Sequence, residues 1–109
     1  MENRRIFEVD VRVDCADLPS AERKLLFAIA TARAKGIRLV KAFHTVAQGA
    51  RLRRAWKSWR EQKLISVFAG GGELSSDTLT STYLSEMYPD IREDRDFREG
   101  NGEVTFLAL

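Results

Sequence analysis

In "RIFEVDVRVD" the residues Phe7, Val9, Val11 and Val13 alternate with Glu8, Asp10 and Arg12. A period of two sends alternate side chains to opposite faces, so residues 6–13 are predicted to form a strand with one buried face. "DCADLPS" reads as a loop, with Asp17 or Ser20 available to cap a helix and Pro19 near its start. In "AERKLLFAIATARAK" the residues Leu25, Ala28, Ile29 and Ala32 share one helical face, which Leu26 and Phe27 widen. Gly36 supplies the stop. "IRLVKAF", residues 37–43, reads as a second strand that ends at His44, and "RLRRAWKSWREQ" as a second helix. On that helix Leu52, Trp56, Trp59 and Lys63 fall on one stripe with Ala55 beside it, while Arg53, Arg54, Lys57 and Arg60 point elsewhere. Tryptophans at this spacing are expected in the core.

"LISVFA", residues 64–69, is a third strand, closed by the glycines at 70–72. Leu79, Tyr83, Leu84, Met87 and Tyr88 recur at helical spacing and predict an extra helix near 76–88, stopped by Pro89. "DIREDRDFRE" reads as a solvated loop or edge strand, "EGNG" as a turn, and "EVTFLAL" at 103–109 as a closing strand. The order predicts an α/β fold, a two-layer sandwich over residues 1–109 as a single domain. Its mixed four-stranded sheet has a βαβαβ core, an extra helix and a C-terminal strand. The first three strands are expected side by side, the first two of them parallel through a right-handed crossover. Loops leaving the carboxyl ends of parallel strands share one edge of the sheet, where open α/β sheets usually bind ligands. The loop after Arg12 and the loop beginning at His44 should therefore be neighbours.

Charge changes this picture more than composition does. The formal net charge is only +2, yet residues 23–63 hold twelve lysines and arginines against Glu61 alone. The residues before and after them are net acidic. Segregation of this kind points to a polyanion for the middle segment, or to basic and acidic segments neutralising one another in the fold. A single cysteine, Cys15, and a single histidine exclude an internal disulfide and argue against a structural zinc site. No metal or other cofactor is expected. No apolar run is long enough to span a bilayer, and "MENRRIFEVDV" lacks the apolar stretch of a signal peptide, so a cytoplasmic location is expected.

The order of elements, with "EVDVRVDCADLPSAE", "KAFHTVAQGARLRRAW" and "GNGEVTFLAL", resembles the Smr domain family. In that family a first strand ends in Leu-Asp-x-His-Gly, and a second ends in His-Gly-x-Gly before a helix opening with Leu-Arg. Asp10 and His44 match. Arg12 and Val13 stand where the first motif has histidine and glycine, and Thr45 and Ala47 replace two glycines of the second, leaving Gly49. Residues 70–99 have no counterpart. The fold is also similar to the C-terminal domain of bacterial translation initiation factor three. The resemblance implies a nucleic-acid-binding domain, RNA- or ribosome-associated, with endonuclease activity weak or lost. RNA, DNA or the ribosome would then be the partner. The competing class is a non-enzymatic protein–protein interaction module that uses the charge-segregated surface.

His44 could act as a general acid or base, because imidazole titrates near neutral pH, or it could simply end a strand with its ring bonded to backbone. Asp10 could orient His44 or meet a metal, and Arg12 could stabilise charge developing on phosphate. Either could equally be a polar residue on a solvated strand face. Gly49 and Arg51 are expected to open the second helix, whose free N–H groups would suit phosphate. Arg51, Arg53, Arg54, Lys57 and Arg60 form the candidate nucleic-acid patch, unless acidic residues of the C-terminal third pair with them. The glycines at 70–72 lack the Gly-Lys-Ser/Thr ending of a phosphate loop.

Overall fold

The computed structural model describes residues 6–13, 15, 17–70, 79–88, 91, 94 and 102–109. Glycines 71 and 72, residues 76–78, Pro89, most of the charged stretch 90–99 and Asn101 lie outside the described residues. Strand β1 (Ile6–Asp10) leads to helix α1 (Leu18–Ala34), strand β2 (Leu39–Phe43), helix α2 (Val46–Glu61) and strand β3 (Val67–Gly70). Helix α3 (Leu79–Met87) and strand β4 (Val104–Ala108) follow.

The sheet order is β1-β2-β4-β3. β1 and β2 pair in parallel with Ile6 opposite Leu39, and β4 runs antiparallel to both β2 and β3. The third strand is therefore not beside the second, contrary to expectation: β4 is inserted between them. All five residues of β4 are buried, whereas both ends of β3 are half-buried. A strand apolar on both faces belongs in the middle of a covered sheet, and that preference overrides sequence order.

β1 is shorter than its alternation suggests. The Asp10 carboxylate accepts the Arg12 backbone N–H at 2.9 Å, a local bond that turns the chain out of the ladder. Val11 still donates to Phe43 O and is fully buried, but Val13 is exposed. Asp17 caps α1 by accepting from the Ser20 amide at 2.9 Å. The helix ends in a Schellman arrangement, with Ile37 N–H on Ala32 O and Gly36 N–H on Arg33 O, and Gly36 takes the left-handed φ of 73° that this requires. α2 ends the same way, but there Lys63 occupies the left-handed position at φ 64°. Lys63 thus lies beyond the helix and exposed, off the stripe expected of it.

α1 and α2 pack on one face of the sheet. Leu25, Ile29, Leu52, Trp56 and Trp59 meet Val9, Val40, Phe68 and Leu107 there. The opposite face is closed by Leu84 of α3 and by Ile91, packed against Leu39, Ala69, Val104 and Phe106. This is the α/β sandwich with a mixed four-stranded sheet, an extra helix and a C-terminal strand that the sequence predicts, with the extra helix covering the second face and so adding a layer to the two expected. One charged pair is buried within the second core: Lys41 Nζ of β2 donates to both Asp94 carboxylate oxygens, at 3.0 and 2.9 Å. Among the described residues no helix is long and apolar enough to cross a membrane.

Candidate nucleic-acid interface

The carboxyl edge of β1 and β2 carries Asp10, Arg12 and His44, as parallel pairing requires. Their side chains do different things. The Arg12 guanidinium grips the Asp10 carboxylate, Nε to Oδ1 at 3.0 Å and Nη2 to Oδ2 at 2.8 Å, while its Nη1 lies 3.7 Å from Glu103 at the start of β4. It also lies over the Phe43 ring. Those hydrogen bonds hold the Asp10 carboxyl below its ordinary pKa, against a smaller opposing effect of burial. Asp10 therefore faces Arg12 and does not orient His44. No group of three or more His, Cys, Asp or Glu side chains suited to a metal ion occurs among the described residues.

His44 is buried, 3 % exposed. Its Nδ1 lies 2.8 Å from Thr45 O and its Nε2 2.8 Å from Thr105 Oγ1. A carbonyl can only accept, so Nδ1 carries the proton; in the neutral ring Nε2 then accepts from the Thr105 hydroxyl. The ring lies tilted against Trp56, 5.6 Å between centroids. Gly49 of α2 completes the enclosure: a Cβ there would stand 2.6 Å from Cε1 and 2.8 Å from Nδ1 of the imidazole. Burial pushes the His44 pKa down and outweighs the Thr45 bond and Glu103, which favour the charged form. With both nitrogens engaged inside the protein, the ring offers no proton-transfer atom to a bound phosphodiester in this arrangement.

The unfolded chain protonates its histidine near pH 6.5, and the folded ring resists protonation to a lower pH. His44 thus contributes stability that is complete above about pH 6.5 and lost as pH falls from there through the folded pKa. Asp10 and Asp17, both lowered by their hydrogen bonds, act only below about pH 4. Melting temperature should fall between pH 7 and pH 5 in the wild type, and His44→Gln should flatten that slope even if it lowers the melting temperature throughout. An unchanged slope in the variant would show that another group controls it.

α2 begins five residues earlier than the sequence pattern suggests. Thr45 is the N-cap, with its hydroxyl accepting from Gln48 N–H while the Gln48 side chain accepts from Thr45 N–H. This reciprocal pair is a capping box. Gly49 and Arg51 consequently lie inside the helix rather than at its opening, and the Gly49 amide already donates to Thr45 O at 2.9 Å. That amide is not available to a phosphate. Arg51 instead borders a pocket of about 170 Å³ beside Cys15, Leu18, Ala47 and Gln48.

The basic residues of α2 divide by position. Arg53 and Arg60 flank the buried stripe and lie over the Phe68 ring, each 5.4 Å from its centroid. Arg54 and Lys57 sit on the outer side and line a wide, shallow depression together with Ala50, Arg53, Ser58 and the carboxylate-bearing Glu61. Arg51, Arg54, Lys57 and Arg60 are exposed and make no ion pair among the described residues. Arg60 stands about 16 Å along the axis from Gly49, at 1.5 Å per residue, so the patch follows the helix and does not converge on His44. Thr105, which holds the imidazole, and the Thr45–Gln48 cap are not among the residues that the sequence pattern singles out. The cap is readable there as Thr-x-x-Gln, and Thr105 stands out as the polar residue within "VTFLA". Comparison of the chain with protein-family models, with curated proteins and with solved structures finds no match.

Proposed function

We propose that this domain binds nucleic acid, RNA or DNA, through the outer surface of α2, and that His44 serves the fold rather than phosphodiester chemistry. One observation carries the reading: four cations of one helix are exposed and make no ion pair among the described residues. A surface that concentrates cations in this way lowers its energy by meeting a polyanion, because each neutralised phosphate releases counterions. The resemblance of "KAFHTVAQGARLRRAW" to the second Smr motif supports the same partner, and a cytoplasmic setting is consistent with the lone Cys15. The enclosed imidazole weighs against nuclease activity at this edge.

Arg54 and Lys57 are the residues to change, since both are exposed and neither lies over Phe68. In a fluorescence-anisotropy titration with labelled RNA and DNA, Arg54→Glu/Lys57→Glu should weaken binding about tenfold or more. It should also reduce the slope of log K against log salt by about two, one for each phosphate no longer neutralised. The melting temperature should hardly move. Undiminished binding by this variant, or no binding by the wild type, would overturn the proposal.

A further inference from the structure

α1 and α2 end in the same hydrogen-bonded turn but with different residues at its left-handed position, Gly36 at φ 73° and Lys63 at φ 64°. Among the described residues Lys63 is the one non-glycine residue with a positive φ. The turn itself is required. Lys63 N–H donates to Arg60 O and Leu64 N–H to Trp59 O, and the chain returns through them to place Leu64 and Ile65 against the core. A lysine at that position is not required. In the left-handed region a Cβ crowds the following carbonyl, a clash that glycine avoids. Lys63 is exposed, so its side chain gains little from burial, and it makes no ion pair among the described residues.

The charge of that side chain continues a pattern. Arg51, Arg54, Lys57, Arg60 and Lys63 recur at intervals of three. Side chains three apart on a helix are neighbours, about 5–6 Å between Cβ atoms. Each step also turns about 60° back round the axis, so the row crosses α2 obliquely. Arg60 is its last member within the helix, and the Arg60 carbonyl accepts the Lys63 N–H at 3.1 Å. α1 adds a cation at the same place. Arg33, in the last turn of α1, donates from Nη2 to the carbonyl of Leu64, the residue after Lys63. Arg33, Arg60 and Lys63 are all exposed. The backbone of residues 60–64 thus gathers cations from two helices and the turn between α2 and β3. Glu61 is the only acidic residue from position 50 to position 64, so the segment does not neutralise itself. Lys35 at the end of α1 lies elsewhere, over the Phe7 ring of β1.

We propose that Lys63 is a further nucleic-acid contact, which extends the binding surface of α2 past the end of the helix to the turn that Arg33 also meets. The inference rests on the nucleic-acid reading above. Sparsely populated backbone at a non-glycine residue clusters at ligand-binding positions, where the side chain serves something other than the fold. Here that side chain is a cation at the end of a cationic row and beside two more. A phosphate is the group that such an arrangement attracts.

The test measures stability and affinity on the same variants of the whole chain. Lys63→Gly relieves the clash and removes the charge. Its melting temperature should rise by about 4 °C, because about 1 kcal/mol moves a domain of this size by roughly that amount. Its affinity for a labelled single-stranded RNA or DNA of about twelve nucleotides should fall about threefold, and the slope of log K against log salt by about one. Lys63→Gln keeps the left-handed side chain without its charge, so it should bind as weakly as the glycine variant yet melt near the wild type. Lys63→Arg should retain binding, and Lys35→Gln should leave the slope unchanged. A lysine that served the turn alone could not make stability and affinity move in opposite directions. Wild-type affinity and slope in both Lys63→Gly and Lys63→Gln would overturn this inference, and the α2 surface would still stand if Arg54→Glu/Lys57→Glu weakened binding. Lower melting temperatures in both variants with binding intact would overturn it too, by assigning the ammonium to the carbonyls at the helix end. So would an equal loss of slope in Lys35→Gln, which would show that charge acts there without regard to position. Absence of wild-type binding to either probe would remove the reading on which the inference rests, and the inference with it.

Discussion

Asp94→Ala is expected to destabilise the domain by about 3–5 kcal/mol, the cost of breaking a buried ion pair by removing one partner. Lys41 reaches Asp94 from the middle of β2, and both side chains are almost completely enclosed, at 5 % and 2 % exposure. The ammonium also lies 4.9 Å from the Phe43 ring centroid and 5.9 Å from that of Phe106, a setting poor in water. Once the carboxylate is gone, the Lys41 ammonium loses both of the hydrogen bonds it makes to Asp94 in surroundings that disfavour a charge, and that loss costs free energy. Lys41→Met alone should cost a similar amount, because it removes the ammonium that donates to both Asp94 oxygens. The double variant Lys41→Met/Asp94→Leu should recover most of the loss, since a buried ion pair exchanged for apolar groups of similar volume is often neutral. Urea denaturation of the four proteins measures the coupling directly. Additive losses in the double variant would show that the two charges act independently.

Gly49→Val is expected to cost about 3 kcal/mol, at the upper end of what overpacking a dense core costs. The Cβ alone would enter the imidazole of His44, and a valine adds two methyl groups beyond it. The ring cannot swing away cheaply: Thr45 O and Thr105 Oγ1 hold its two nitrogens, and Trp56 lies against it. Gly49→Ala presses less deeply, and the better helix propensity of alanine offsets up to about 1 kcal/mol of its strain. In a His44→Ala background the space is vacated, so Gly49→Val should there cost far less. Chemical denaturation of the single and double variants gives the coupling energy. A valine tolerated at position 49 in the wild-type background would mean that the enclosure of His44 is loose.

What is legible in the chain is local. The period-two run of β1, the Asp17 cap, the Gly36 stop and the Leu52–Trp56–Trp59 stripe each depend on residues within a turn or two of one another, and each appears in the fold. What escapes depends on partners far apart in sequence. Lys41 and Asp94 are 53 residues apart, and His44 and Thr105 are 61 apart. No periodicity records such pairs, so Lys41 reads as another cation of the basic segment and Asp94 as part of a solvated stretch. Val13 misleads for the opposite reason. Its alternation is genuine, but the Asp10 side chain turns the backbone at Arg12 before the pattern can continue. The start of α2 escapes because "TVAQ" has no apolar period, although its capping box is there to be read. Strand polarity locates the candidate edge correctly, yet what each side chain does there follows from its hydrogen bonds, which the sequence does not display.

The insertion of β4 between β2 and β3 bears on when this protein can fold. Residues 39–43 and 67–70 never pair with each other and meet only through 104–108. A chain being synthesised from its N-terminus can therefore form the β1–α1–β2 unit early, but it must hold β2 and β3 apart, each with an unsatisfied edge, until the last strand arrives. Open edges of this kind recruit strands from other chains, and contacts so distant in sequence form slowly. The interval before the final segment is delivered is thus the stage most exposed to aggregation. A chain shortened before Val104 would remain in that stage permanently, with its helices made and its sheet divided in two.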